Sequence, residues 1–117
     1  MTERINKVTA LMHRWGAGDV QSVLAEIDDD IVWRLPSLGF VGRGRSAVAE
    51  ELQRTAGQVS IVRLVHVVEH GPFVVALYDV ESRLGGSVYR GPGLAVLRYE
   101  NDKIAEFSGY RADQFPR

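Results

Sequence analysis

The sequence predicts an α+β fold in which three helices of the N-terminal half cover one face of a curved, mostly antiparallel sheet. Two observations carry this. Apolar residues recur at helical spacing through the first third, then at strand spacing with turn signals through the second half. Helices first and hairpin-connected strands later is an α+β order, not an alternating βα one. The chain of 117 residues is long enough for one cored domain, expected over residues 1–117.

The elements follow in order. Residues 3–16 carry Ile5, Val8, Leu11, Met12 and Trp15 at spacings of three and four, one helical stripe. Gly16 and Gly18 end it, and Asp19 is an N-cap for a second helix with Val20, Val23, Leu24 and Ile27 inward. Asp28-Asp29-Asp30 reads as the closing turn. Ile31–Leu35 is a short strand stopped by Pro36, and residues 37–45 read as a Gly-rich loop. A third helix runs from about Ser46 to Thr55, with Val48 and Leu52 inward and Gly57 as its stop. Four strands are then expected: Val59–Glu69, Phe73–Leu84, Ser87–Glu100 and Lys103–Arg111. The turns between them are His70-Gly71-Pro72, Gly85-Gly86 and Asn101-Asp102, and Gly91-Pro92-Gly93 reads as a bulge or bend inside the third. Helices on one face of such a sheet leave a cone-shaped cavity.

Composition narrows the function. Apolar residues are 45% and charged ones 25%, with a net charge of -1, so no basic field invites nucleic acid. Without cysteine, thiolate chemistry and cysteine–metal sites are excluded, and a cytoplasmic location is expected. No apolar run reaches the roughly 20 residues of a membrane span, so no membrane partner is expected. His66 and His70 would stand about 13 Å apart along an extended strand, too far to share a metal, and His13 lies off the apolar stripe. No metal or cofactor is expected. Gly42-Arg43-Gly44-Arg45 before the third helix could hold an anion, but a helix-entry turn with solvent-facing arginines is the simpler reading.

Several pieces together resemble a known family. They are Trp15-Gly16-Ala17-Gly18-Asp19, Trp33-Arg34-Leu35-Pro36, Phe40-Val41-Gly42, Gly85-Gly86, Asn101-Asp102-Lys103-Ile104 and Tyr110. In this order and spacing the chain resembles the NTF2-like (cystatin-like) superfamily, in its SnoaL-like, limonene-epoxide-hydrolase-like and ketosteroid-isomerase-like branches. The resemblance implies a conical α+β barrel, an interior pocket and a homodimer packed through the sheet. It does not imply one reaction, because this fold hosts many.

The catalytic positions of these branches can be tested one at a time. The isomerase base falls on Leu35 and its tyrosine on Leu11, and neither side chain can move a proton or donate to a dienolate. The epoxide-hydrolase set of two acids and an arginine falls on Tyr78, Val80 and Ala112. A slip of one residue would instead present Asp79, Glu81 and Asp113, because a slip of one turns every side chain to the other face. Asp79, Glu81, Asp113 and Tyr110 are therefore the catalytic candidates. The unslipped register leaves Asp79, Glu81 and Arg83 as an outer ladder of charge pairs. The expected pocket is mainly apolar, made by Trp33, Leu35, Phe40, Tyr78, Val80, Ser82, Ser108 and Tyr110, and would take a small hydrophobic or polycyclic molecule. Two functions stay open: a hydrolase, isomerase or cyclase, and a non-catalytic binding or dimerisation domain.

Overall fold

A computed structural model describes residues 3–36, 39–83 and 86–111. Gly85 of the expected hairpin pair and the candidate Asp113 lie outside them. Three helices, α1 (Glu3–Gly16), α2 (Val20–Leu24) and α3 (Arg45–Arg54), pack on one sheet of six strands. The strands are β1 (Ile27–Leu35), β2 (Phe40–Arg43), β3 (Val59–His70), β4 (Phe73–Ser82), β5 (Tyr89–Glu100) and β6 (Lys103–Arg111). Their order across the sheet is β2-β1-β6-β5-β4-β3. Only β1 and β6 run parallel among these pairs; the rest are antiparallel. Helix α3 carries the chain from β2 at one edge of the sheet to β3 at the other.

Helix α1 buries Val8, Leu11 and Met12 against β3 and β4, the stripe that its sequence spacing predicts. Asp19 caps α2 as expected: its carboxylate accepts from the Ser22 amide at 3.3 Å and from the Ser22 hydroxyl at 2.6 Å. Those two bonds, the hydroxyl first, hold the exposed Asp19 carboxyl below its ordinary pKa. Helix α3 buries Val48 and Leu52, and also Glu51, whose carboxylate receives Nε and Nη2 of Arg54 at 2.6–2.9 Å. A buried carboxylate needs such a partner.

Three expectations are corrected. The first strand begins at Ile27, not Ile31. Asp28–Asp30 are accommodated as a bulge between the Ile27↔Ile104 and Val32↔Glu106 pairs, with the Asp30 amide donating to Asp28 Oδ1 at 3.0 Å. The three aspartates bend the chain without ending the strand. Second, part of the expected loop 37–45 is a four-residue edge strand, β2, paired with β1 from Leu35↔Phe40 to Val32↔Arg43. Gly42 permits this, because a Cβ there would lie 2.8 Å from the Phe40 ring. Third, the Gly91-Pro92-Gly93 segment is not a bulge on the β4 side: β4 and β5 pair in unbroken register from Phe73↔Arg98 to Ser82↔Tyr89. The glycines clear space for aromatic rings instead. A Cβ on Gly93 would overlap the Tyr78 ring, and one on Gly91 would lie 3.0 Å from the Tyr89 hydroxyl.

The bulges that matter lie in β3, between Ile61 and Arg63 and between Leu64 and His66. Each inserts one residue, so the inward positions run Val59, Ile61, Leu64 and Val67, while Val62 and Val65 face solvent. Extra residues on one edge strand add twist and bend the sheet around α1. Among the described residues no helix is long and apolar enough to cross a membrane.

Candidate functional site

The two faces of the sheet have different chemistry, and register decides which residue faces which way. On β4, Val74, Ala76, Tyr78 and Val80 are buried on the helix-covered face. Cross-strand pairing carries that face to Gly93, Ala95 and Leu97 on β5, then to Arg111, Gly109 and Phe107 on β6, then to Trp33 on β1. The slipped register is not realised. Asp79 lies on the opposite face and pairs with Arg63 at 3.0 Å. Glu81 lies there too, with Arg90 at 3.3 Å and Arg83 at 3.5 Å. Neither acid is a cavity residue; both belong to an outer ladder of ion pairs.

The centre of the cone is filled. Trp33 is fully buried and stacks on Phe107 with ring centroids 3.9 Å apart and planes at 12°. Trp15, at the end of α1, meets both edge-on, at 6.1 Å to Trp33 and 5.5 Å to Phe107. These edge-to-face contacts suit the ring quadrupoles and fix Trp15 in place. Beyond this cluster lies a small cleft of about 40 Å³, open to solvent. It is lined by Trp15, Leu35, Val59, Tyr78, Val80 and Ser82, with Gly109, Tyr110 and Arg111 along the β6 edge.

Of the residues expected as pocket wall, Leu35, Tyr78, Val80, Ser82 and Tyr110 lie along this cleft. Tyr110 only borders the cleft, because alternation with Gly109 and Arg111 turns its side chain outward, opposite Leu94. Trp33, Phe40 and Ser108, also expected as wall, do not line it. Trp33 is core beneath it. Phe40 lies on the edge strand over Gly42, and Ser108 pairs with Val96 and Arg34 on the outer face. Sequence reasoning missed Trp15, Val59, Gly109 and Arg111. The signal for the last two was present: Glu106, Ser108 and Tyr110 alternate with Phe107 and Gly109, and the polar set belongs outside.

Electrostatically, the described cleft lining contains no carboxylate and no histidine, and Arg111 is its cationic residue. The Arg111 guanidinium sits 5.2 Å from the centre of the Tyr89 ring, a cation–π distance. Tyr89 is in turn anchored by its hydroxyl donating to the Pro92 carbonyl at 2.7 Å. Burial, followed by the negative influence of Tyr89, pushes the Tyr78 hydroxyl well above the usual tyrosine pKa, so it stays protonated and able to donate.

Other sequence candidates resolve structurally. Arg45 of the Gly42–Arg45 stretch donates to the Ile27 carbonyl at 2.9 Å, tying α3 to β1, while Arg43 is exposed. His13, His66 and His70 are exposed, and no group of three or more His, Asp or Glu placed to hold a metal occurs among the described residues.

Comparison with known proteins agrees with this architecture. No curated protein matches the sequence significantly. Solved structures do. A cystatin-like protein of unknown function from Xanthomonas campestris has a TM-score of 0.83 at 22% identity, over 97% of this chain and 93% of its own. A candidate polyketide cyclase from Xanthomonas campestris pv. campestris has a TM-score of 0.77 at 26% identity, over 93% and 90%. TerC, co-crystallised with polyporic acid, has a TM-score of 0.76 at 16% identity, over 96% and 93%. The SnoaL-like domain model matches residues 8–107, which span both helical and sheet portions, and the chain belongs to the SnoaL-like family within the NTF2-like fold.

Proposed function

We propose that the cleft binds a small, largely apolar molecule. The observation that carries this is a wall of Trp15, Leu35, Val59, Tyr78 and Val80, to which Tyr78 and Ser82 add hydroxyl groups. That make-up, an apolar wall with a few polar groups, is the composition of a ligand site. TerC's co-crystal with polyporic acid supports small-molecule binding on this fold.

A neutral bicyclic amide, 2-naphthamide, is a suitable probe. At about 0.3 kcal/mol for each of its roughly 13 non-hydrogen atoms, binding comes to about 4 kcal/mol, a millimolar Kd. Heteronuclear NMR reads such affinities. The Trp15 indole N–H, at the cleft wall, shifts saturably, while exposed amides such as that of Arg54 stay put. Failure of the Trp15 signal to move at the solubility limit would remove the binding reading.

A second reading, a cyclase-type enzyme, is favoured by the candidate cyclase at 26% identity and by the persistently protonated Tyr78 hydroxyl, which could donate to a developing enolate. A proton-abstracting group would then have to come from outside the described lining, and Asp113 is the sequence candidate. Turnover of polyketide-like substrates that survives Asp113→Asn would exclude that residue as the base; absence of any turnover alongside probe binding leaves the binding module.

We also read the outer sheet face as a homodimer surface. Val68, Phe73 and Leu77 are exposed there, beside Val75, Leu94 and Val96, and rows of ion pairs flank them at Arg63–Asp79 and Arg98–Glu106. An exposed apolar strip with a charged rim suits self-association. Leu77→Glu, at the centre of the strip, is expected to halve the mass measured by light scattering; an unchanged mass rejects this surface.

A further inference from the structure

Two histidines border the apolar strip of the outer sheet face. Beyond its second bulge, β3 pairs regularly with β4: His66 with Leu77, Val68 with Val75 and His70 with Phe73. Strand β5 continues these rows with Leu94, Val96 and Arg98. His66, Val68 and His70 thus form one edge of a patch centred on Val75, Leu77, Leu94 and Val96, and both imidazoles are exposed. Facing His66 from β4 are Leu77 and, diagonally, Val75 and Asp79. Asp79 is held by Arg63, the neighbouring charged group on β3, at 3.0 Å. Facing His70 is Phe73, and beyond it on β5 lies Arg98, which Glu106 meets at 3.3 Å and Glu100 at 3.8 Å. Glu69, between Val68 and His70, turns to the helix-covered face, where Arg4 meets it at 3.7 Å. The nearby carboxylates are therefore spent on arginines. Strands β3 to β6 are about 4.8 Å apart and the 10 residues of β4 extend about 33 Å, so their flat outer face covers roughly 600 Å². That approaches the roughly 800 Å² that each partner gives to a stable interface.

We propose that self-association through this face is switched by pH: it requires His66 and His70 to be neutral and is released when they take up protons. This rests on the reading of the outer face as a homodimer surface and adds its regulation. Histidine is the side chain whose charge changes between about pH 5 and 8. In the separated chain an exposed imidazole can take up a proton and keep its water. In the pair it would lie beside Leu77 or Phe73 beneath a second apolar patch, where an ion loses that water. The second copy brings the same two histidines, so protonation also adds like charge to both sides. The separated chain then binds more protons than the paired one, and association weakens as pH falls.

Sedimentation velocity over a concentration series measures the monomer–dimer dissociation constant from about pH 7.5 to about pH 5.5, with circular dichroism to follow the fold. Each imidazole kept neutral in the dimer contributes up to about tenfold per pH unit, so the constant is expected to rise at least about tenfold across this range. The double variant His66→Gln with His70→Gln is neutral at both ends of the range and altered only at exposed positions. It is expected to dimerise without that dependence. His66→Asn with His70→Asn takes its place should the glutamine variant not fold. His13→Gln, on α1 away from this face, is expected to keep the dependence. A monomer at every pH removes the homodimer reading, and the switch with it. A dimer whose constant ignores pH, or tightens in acid, leaves that reading standing and overturns the switch. A dependence that persists in the double variant, or that accompanies loss of the helical signal, overturns the assignment to these histidines.

Discussion

Replacing Gly93 by alanine sets two physical rules against each other. Glycine inside a strand ordinarily weakens it, so Gly→Ala should stabilise by about 0.5–1 kcal/mol. Here a Cβ would overlap Cε2 of Tyr78 and come within 2.9 Å of Cζ and 3.0 Å of Cδ2. Ordinary carbon contacts lie near 3.5–4.0 Å. Tyr78 is 4% exposed, so its ring cannot simply swing into solvent. Overpacking of a filled core costs about 1–3 kcal/mol, which exceeds the entropic gain and leaves a net loss of about 1–2 kcal/mol. For a domain of this size that lowers Tm by about 4–8 °C. The assay is thermal unfolding of Gly93→Ala alone and in a Tyr78→Leu background. With the ring gone the clash goes, and the alanine should become neutral or mildly stabilising, a coupling of about 1–3 kcal/mol between the two sites. A Gly93→Ala protein more stable than the parent, or an equal loss in both backgrounds, would refute the idea that Gly93 exists to seat Tyr78.

Other expectations can be checked as directly. Gly16→Ala should also destabilise, because its Cβ would lie 2.9 Å from the backbone nitrogen of Ile61, where backbone cannot yield cheaply; chemical denaturation should show a lower midpoint. Arg54→Ala leaves the buried Glu51 carboxylate without the guanidinium that binds it, at a cost of about 1–3 kcal/mol, and Glu51→Gln added to it should recover part of the loss. Burial, and after it the negative charge of Glu26, pushes the Tyr99 hydroxyl up to about 12. The folded state then holds its proton where the unfolded chain, near pH 10, has lost it. The contribution of Tyr99 to stability is therefore complete below about pH 10 and is lost as pH rises toward 12. Absorbance at 295 nm should show the Tyr99 phenolate forming together with loss of helical circular dichroism; phenolate formation in the still-folded protein would contradict the burial.

Much of the fold was legible because it is written locally. Val8, Leu11 and Met12 repeat at helical spacing on α1, Asp19 precedes α2 as a cap, and Asn101-Asp102 marks the last turn, where Asn101 adopts φ 57°. The order of these marks also carried the family resemblance. What was misread depended on partners distant in sequence. Phe40–Arg43 looks like loop because its glycines suit loops, and only pairing with β1 makes it a strand. Asp28–Asp30 look like a turn because nothing local reveals β6, whose Ile104 and Glu106 hold both sides of the bulge. Gly91 and Gly93 look like a break because their purpose is the Tyr78 and Tyr89 rings.

The candidate site shows the same division. By itself the sequence determined a helix-covered sheet, an apolar face on β4 through Tyr78 and Val80, and, at Leu35 and Leu11, the absence of the isomerase groups from their family positions. Local spacing suffices for the first two, since side-chain direction follows backbone period within one element, and the third is what the family resemblance implies. Tertiary structure alone decided that Trp33 is core while Trp15 is wall, that Asp79 and Glu81 are spent on outer arginines, and that Arg111 lines the cleft. Those outcomes turn on register between strands, and register is set by bulges and by the packing of whole faces. A one-residue difference in register moves a side chain from solvent to cavity, and no short stretch of sequence contains both strands that fix it.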